Sequence, residues 1–439
     1  MPDLKQSALN IFHETLAAID IPSAMQRKLD CAGSRIVVNG APVDLGAFHE
    51  IRAIAIGKAS AAMARGLAET ISPNSRVEGL IVAPTTAADL PKGFRLIVGG
   101  HPVPNEGSFT AAREILDLLS RTKERTLVFF LLSGGGSSLV ELPLDPRVTL
   151  EDMQALNRLL VTCGASIDEI NAVRKHLSAV KGGRLAIAAR SAAKITLAVT
   201  DVPEGQESAL ASGPTLPDPS TVAAACDVVR RYGLLSKLPP VFRTQFEQPQ
   251  SIAETPKPAD SAFDPRRNAF QILLGRHDLF HAAHHASESA EFVTICDNTT
   301  DNWPVDKSVD FLLSQLAALK KDNPAKCVAV IADGEVSSPV TGDGVGGRNL
   351  AFALDAVKKI AGQKIAVLSA GTDGIDGSSP AAGAVADGET FARAQSQGLD
   401  PADYFARSDS YNFFRVLADA IETGPTGNNL RDLRILLAE

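Results

Sequence analysis

The chain has 439 residues, 45% of them apolar and 21% charged, with a net charge of −8. That length calls for two or three domains, each with enough apolar residues for an ordinary core. The acidic balance, with no Lys/Arg run, speaks against a nucleic-acid partner, and no stretch approaches the ~18 unbroken apolar residues of a membrane span.

The N-terminal segment M-P-D-L-K-Q-S-A-L-N-I-F-H-E-T-L-A-A-I has helical spacing and acidic residues, unlike a signal peptide. A cytoplasmic protein is therefore expected, and this helix would suit either domain. Candidate strands follow at Ile51–Ile56, Gly79–Ala83, Arg95–Val98, Thr126–Leu132, Lys194–Thr200, Phe270–Leu274, Phe292–Cys296, Cys327–Ile331 and Lys364–Ser369. They are rich in Val, Ile and Leu without strict alternation, the pattern of strands buried on both faces. Amphipathic stretches separate them at Ala59–Thr70, Ser108–Leu119, Leu150–Val161, Val305–Lys320 and Arg348–Ile360. Such alternation predicts an α/β protein with parallel, helix-covered sheets. Proline is dense between Leu238 and Arg267, which reads as a linker or crossover between domains. The expected division is 1–237, 238–267 and 268–439. The five scattered cysteines show no C-x-x-C pair and read as reduced thiols.

Several strands run into small or polar residues at their carboxyl ends, where open α/β sheets bind ligands. These are A-I-G-K-A-S (55–60), L-S-G-G-G-S-S (132–138), L-A-V-T-D-V-P-E-G (197–205) followed by A-S-G-P-T, I-A-D-G-E (331–335), and L-S-A-G-T-D-G-I-D-G (368–377). Glycine lets backbone N–H groups approach a ligand, helix N-termini add positive potential, and serine adds donors. Several such loops in one chain point to phosphate or carboxylate binding. The Walker motif and the G-x-S-x-G nucleophile elbow are both absent. G-D-G-V-G-G (342–347) matches a dinucleotide fingerprint formally, but S-S-P-V-T separates it from the nearest strand and no acidic partner follows at the right distance. His281, His284 and His285 read as one face of a surface helix rather than a metal site.

Lys58 occupies a strand-to-helix turn, and Arg348 opens a helix whose dipole disfavours a cation. Both are candidates to hold phosphate or carboxylate oxygens, Arg348 as a bidentate fork. Asp201, Glu204, Asp333, Glu335, Asp373 and Asp376 also fall at predicted strand ends. Phosphoryl transfer needs oxygen ligands for Mg²⁺ and a group that orients the attacking hydroxyl. From this set, Asp201 is the catalytic candidate, Asp201, Glu204 and Glu335 are the metal-ligand candidates, and Asp373 is a nucleotide-binding candidate.

The series A-I-G-K-A-S, H-P-V-P-N, L-L-S-G-G-G-S-S-L, I-N-A-V-R-K-H-L-S-A-V-K-G-G-R-L, T-D-V-P-E-G, S-G-P-T, D-G-E, G-x-G-G-R-N, S-A-G-T-D-G-I-D-G and T-G-P-T-G, from about Ile51 to Leu433, resembles the bacterial glycerate 2-kinases, long called hydroxypyruvate reductases. The resemblance implies an ATP- and Mg²⁺-dependent kinase that makes 2-phosphoglycerate from D-glycerate. It implies a Rossmann-like N-terminal domain, a smaller α/β C-terminal domain and an active site in the cleft between them. It maps the catalytic lysine onto Lys58 and the catalytic arginine onto Arg348. The loop Ser133, Gly134, Gly135, Gly136, Ser137 and Ser138 falls on the nucleotide-phosphate region. A homodimer is compatible with the sequence. The family usually continues T-G-P-T-G with T-N-V-N-D, whereas here Gly427 is followed by N-N-L-R-D. An NAD(P)H-dependent hydroxypyruvate reductase is the alternative reading, and it lacks a complete dinucleotide fingerprint.

Overall fold

A computed structural model describes residues 3–71, 75–200, 202, 205–428 and 430–439. The chain divides into two compact units, Ile21–Leu273 and Met1–Asp20 with Leu274–Glu439.

The first unit opens with the helix Ile21–Leu29, followed by an antiparallel hairpin, β1 (Arg35–Val38) and β2 (Ala41–Asp44). Its central sheet contains β3 (Glu50–Ile56), β4 (Val77–Ala83), β5 (Phe94–Val98), β6 (Thr126–Leu132), β7 (Ala193–Val199) and β8 (Asn268–Leu274), in the spatial order β5-β4-β3-β6-β7-β8. The pairings from β5 through β7 are parallel. Every residue of T-L-V-F-F-L-L in β6 is buried, because this strand carries neighbours on both edges and side chains on both faces. The order is that of a Rossmann-like sheet, and the direction of winding reverses between β3 and β6. At such a switch point the connections leave in opposite directions and open a crevice at the strand ends. The loops that begin with Gly57 and Ser133 emerge there.

A helical layer covers part of this unit, built from Leu150–Thr162, Ile167–Leu177, Val222–Arg231 and Pro240–Glu247. Leu156, Leu160, Val173, Val228, Phe242 and Phe246 share one apolar cluster. The proline-rich stretch at 238–267 is thus part of the unit's body rather than a tether. Phe242 and Phe246 bury themselves in that cluster, and the Lys257 ammonium donates to the Asp218 carbonyl at 3.2 Å.

In the second unit, the sheet order is β13-β12-β11-β14-β10-β9. The strands are β9 (Val293–Asp297), β10 (Val328–Asp333), β11 (Ile365–Gly371), β12 (Gly383–Asp387), β13 (Ala420–Ile421) and β14 (Asp432–Ala438). Only β9 and β10 run parallel; the other pairs are antiparallel. The expectation of parallel sheets therefore holds for the first unit and is corrected here. Two strands, β12 and β14, follow the strand before them with no helix between, and β14 inserts between β10 and β11. The N-terminal helix Leu4–Ala18, capped by the Asp3 carboxylate, packs on β11, β12 and β14 and on the helix Arg276–Ser289. The division of the chain so differs from the expected one at both ends: the first twenty residues join the C-terminal unit, and β8 extends the N-terminal sheet. Among the described residues, no helix is long and apolar enough to cross a membrane.

Candidate active site

At the switch point, β3 ends at Ile56 and the chain turns through Gly57, whose φ is +127°. A side chain there would overlap the backbone and hydroxyl of Ser133, so only glycine lets the two loops meet. They are stitched together by three backbone-directed bonds. Ser133 N–H donates to the Ile56 carbonyl at 2.9 Å, Lys58 N–H donates to the Gly134 carbonyl at 2.9 Å, and Ala59 N–H donates to Ser133 Oγ at 3.0 Å. The helix Ser60–Ile71 then begins. The side chain of Lys58 is exposed.

The loop Gly134–Ser138 passes beside it. Gly135 is left-handed, with φ +82°, and a Cβ placed on it would stand 3.4 Å from Lys58 Cγ and 3.3 Å from His101 Cε1. His101 Nδ1 lies 3.1 Å from Ser138 Oγ. Although His101 is exposed, partial desolvation by the surrounding loops, aided by the positive charge of Lys58, holds the imidazole below its ordinary pKa. On the other side, Ser137 Oγ lies 2.8 Å from Ser212 Oγ, which in turn contacts Asn171 Oδ1 at 2.9 Å. The S-G-P-T segment thus braces the loop; Ala211 and Ser212 both take positive φ to do so. Beneath lies a buried ion pair, Lys181 with Glu141 at 2.7 Å, which also accepts from Ser178 Oγ at 2.6 Å. These partners explain Asn171, Ser178 and Lys181 in ordinary physical terms, since a buried polar or charged group without a partner is costly.

The structure divides the six loop residues into two groups. Ser133 is fully buried and its hydroxyl clamps Ala59. Gly134, Gly135, Ser137 and Ser138 are half-buried and line the turn, while Gly136 is buried against Ala211 and Ile56. The helix that follows spans only Gly136–Leu139, so any donation to an anion comes from local N–H and O–H groups rather than from a long macrodipole.

In the second unit, Arg348 begins the helix Arg348–Lys359. Its Nε donates to Asp432 Oδ2 at 2.5 Å, Nη2 to Asp432 Oδ1 at 3.2 Å, and Nη1 to Glu335 Oε2 at 2.7 Å. Burial alone would lower the guanidinium pKa, but Asp432 and Glu335 outweigh it and raise it. The N–H groups of Asn349 and Leu350 are taken by the Asp376 carboxylate at 3.2 and 2.8 Å. The anion expected at this helix start is therefore supplied by the chain itself. Asp376 is buried, and that burial, with Asp432 adding to it, pushes its pKa up to about 7. Glycine at 347 allows the approach, because a Cβ there would overlap the Asp376 carboxyl. Gly342, Gly344 and Gly346 pack in the same way on Arg407, Asp409 and Ser410. Close contact with the protein's own backbone and side chains explains every glycine of G-D-G-V-G-G.

Around this helix start lie further charges. Asp333 ends β10, is fully buried, and has its pKa raised by burial; Arg431 Nη1 stands 3.6 Å from it. Arg431 also binds Asp301 at 2.6 Å, and it occupies the place where the resembling family usually has the second Asn of T-N-V-N-D. Arg434, fully buried, donates to the Gly334 carbonyl at 2.7 Å and lies over the Phe352 ring. Asp373 is half-buried in the turn after β11, where it accepts from Ile375 N–H at 3.2 Å.

Asp201 and Glu204 lie outside the described residues. Glu335, the third metal-ligand candidate, is engaged with Arg348. Among the described residues no three His, Cys, Asp or Glu side chains gather as a metal site. Sequence reasoning passed over His101, Asn171, Ser212, Asp301 and Asp432. His101 opens the H-P-V-P-N run and Asp432 follows T-G-P-T-G, so the motif positions carried a signal; their partners, far away in sequence, did not.

Comparison with known proteins converges on one group. A domain of unknown function, DUF4147, matches residues 7–247, and the MOFRL family matches residues 328–432. The D-glycerate 2-kinase of Thermotoga maritima is 37% identical over 391 residues, covering 87% of this chain and 89% of its own length. The glycerate 2-kinase of Pyrococcus horikoshii is 30% identical over 99% of this chain and 97% of its own. A crystal structure of glycerate kinase from Thermotoga maritima superposes with a TM-score of 0.85 at 33% identity, covering 99% of both chains.

Proposed function

Because this chain belongs to the glycerate 2-kinase family, we propose that it transfers the γ-phosphoryl group of ATP to the 2-hydroxyl of D-glycerate, giving 2-phosphoglycerate and ADP. The observation that carries this reading is the placement of Lys58 beside the Gly134–Ser138 loop at the switch point of the N-terminal sheet. In phosphoryl transfer the protein's work is positioning and charge stabilisation. An exposed ammonium next to an irregular loop of glycines and hydroxyls supplies both to an anion.

In this reading Lys58 neutralises charge that develops on the transferring group, where such contacts are worth most. Gly134, Gly135, Gly136, Ser137 and Ser138 hold nucleotide phosphate, with Ser133 securing the turn from below. Arg348 meets an anionic oxygen of substrate through Nη1, the nitrogen now on the exposed Glu335, while Asp432 keeps the rest of the fork in place. Asp201 orients or deprotonates the attacking hydroxyl, and Asp373 contributes to nucleotide binding. Magnesium, if it arrives with ATP, would supply positive charge that offsets the phosphates. Such an ion keeps waters and needs only one or two protein carboxylates, so the lack of a three-residue cluster among the described residues is compatible with it. Asp201 and Glu204 are the carboxylates proposed for it. Glu335 would reach it only by releasing Arg348. Five free thiols and the acidic composition support a reducing, cytoplasmic setting.

No observation favours the reductase alternative, because the glycine run that formally matches a dinucleotide fingerprint is used in packing. The test is ADP release with a panel of three-carbon hydroxy acids, run beside NADH oxidation with hydroxypyruvate. ADP formation that depends on D-glycerate, without NADH turnover, is expected. The reverse pattern would overturn the reading.

A further inference from the structure

H-P-V-P-N is a motif to which the phosphoryl-transfer reading assigns nothing, yet its first residue stands inside the Lys58 site. We infer that His101 is a positioning residue of that site: a neutral imidazole that fixes the Gly134–Ser138 loop through Ser138 and offers the loop's ligand its second ring nitrogen. The inference rests on the reading of that loop as a phosphate cradle.

Three observations support it. The ring meets the loop at Ser138, Nδ1 lying 3.1 Å from its Oγ, and flanks Gly135, with Cε1 and Nδ1 3.3 and 3.4 Å from the position a Cβ there would take. The Lys58 side chain approaches the same glycine from another direction, at 3.4 Å. Lysine, imidazole and loop therefore share one small volume; the φ of +82° favours glycine at 135, and a Cβ there would be in tight contact with both side chains. Finally, the charged group acting on the ring is Lys58, and with partial burial it disfavours the imidazolium. What faces the ring from the loop is uncharged: Gly135 and the Ser138 hydroxyl.

The proton arithmetic follows from the hydroxyl. A serine has one proton to give, and Ser138 Oγ also lies 3.4 Å from the Gly135 carbonyl. If Ser138 donates across the shorter contact, Nδ1 accepts and the ring proton sits on Nε2, a neutral donor for an oxygen of the bound anion. Protonation of the ring puts a hydrogen on Nδ1, which ends that acceptance and places a second cation beside Lys58. Acid should therefore loosen the loop before it affects Lys58 itself.

The experiment compares wild type, His101→Gln, His101→Phe and Ser138→Ala in steady-state kinetics for ATP and for glycerate across acid to alkaline pH, with thermal unfolding of each. In the wild type, kcat/KM for ATP should fall on the acid side with a midpoint below 6.5, the ordinary histidine value. That limb should vanish in His101→Gln. His101→Phe should raise the ATP KM by about tenfold, the usual loss for one hydrogen bond, with a smaller change for glycerate and an unchanged unfolding temperature. Ser138→Ala should reproduce part of the ATP effect. An acid limb that persists in His101→Gln, or an ATP KM in His101→Phe equal to wild type, would overturn the inference. A wild-type protein that makes no ADP would instead overturn the kinase reading, so the two failures are distinguishable.

Discussion

The two cationic centres of this chain are built from different elements, one on a strand-to-helix turn and one at a helix start. Lys58 stands exposed on a tight turn, beside the glycine–serine loop and the His101 imidazole. Arg348 stands at a helix start with Glu335 and Asp432 on its guanidinium and Asp376 on the neighbouring N–H groups. Arg348 can receive a substrate anion only by exchanging one of these carboxylates. An arginine placed against its helix dipole invites a functional reading, but the chain's own carboxylates resolve that conflict first. A residue set against local preference is evidence of a partner, and the partner can be internal.

Substituting the two cations should separate these designs most sharply. Lys58→Ala should lose roughly 10²–10³ in turnover, the usual range for one group that stabilises transition-state charge. Because the side chain is exposed, its unfolding free energy should change by less than about 0.5 kcal/mol. Near-normal turnover would make Lys58 a solvated surface residue. Arg348→Ala should damage both properties. Asp432, 4% exposed, would lose two donors, a cost of about 1–3 kcal/mol in urea unfolding. Arg348→Lys should be nearly as inactive as Arg348→Ala, since an ammonium cannot copy the fork that spans Asp432 and Glu335. Recovery of most activity with lysine would mean that a positive field suffices.

A smaller effect comes from Asp376. Its folded-state pKa, about 7, exceeds the ordinary 3.8, so the folded state holds the proton more tightly. Its contribution to stability is full below pH 3.8 and is lost as pH rises through 7. Asp376→Asn mimics the protonated form. Relative to this variant, wild type should lose stability as pH rises through that window, measured by unfolding temperature at several pH values. Parallel curves would place the carboxylate in an ordinary environment. Smallest is Glu335→Gln: an exposed pair contributes about 1 kcal/mol or less, and the Mg²⁺ concentration for half-maximal activity should stay as in wild type. A several-fold increase would make Glu335 a metal ligand rather than the arginine's partner.

The first unit was largely legible because parallel strands are continuous apolar runs. Ile51–Ile56 and Thr126–Leu132 could be read directly from their composition and lie in β3 and β6. By contrast, β14 was hidden by Asp432 and Arg434, charges tolerable in a buried strand only because Arg348 and the Gly334 carbonyl wait across the fold. β12 and the two-residue β13 were too short and too rich in Gly and Ala to show a period. At the site, Lys58 and the glycine–serine loop were visible as turn residues at strand ends. The hydroxyl of Ser133 was not readable as a clamp, nor His101 as a neighbour of Lys58, because both roles depend on which loops the sheet order brings together. The proline-rich stretch misled for a related reason: Phe242 and Phe246 anchor it, and two apolar side chains among prolines give no periodic signal.

The most direct test of the central claim is the position of the new phosphate. Purified protein is incubated with ATP, Mg²⁺ and D-glycerate, and the product is examined by phosphorus–proton correlation NMR while ADP is quantified. The account predicts one phosphate per ADP, coupled to the single proton on C2. Phosphate coupled to the C3 methylene protons, or no ADP formed while NADH is consumed with hydroxypyruvate, would contradict it.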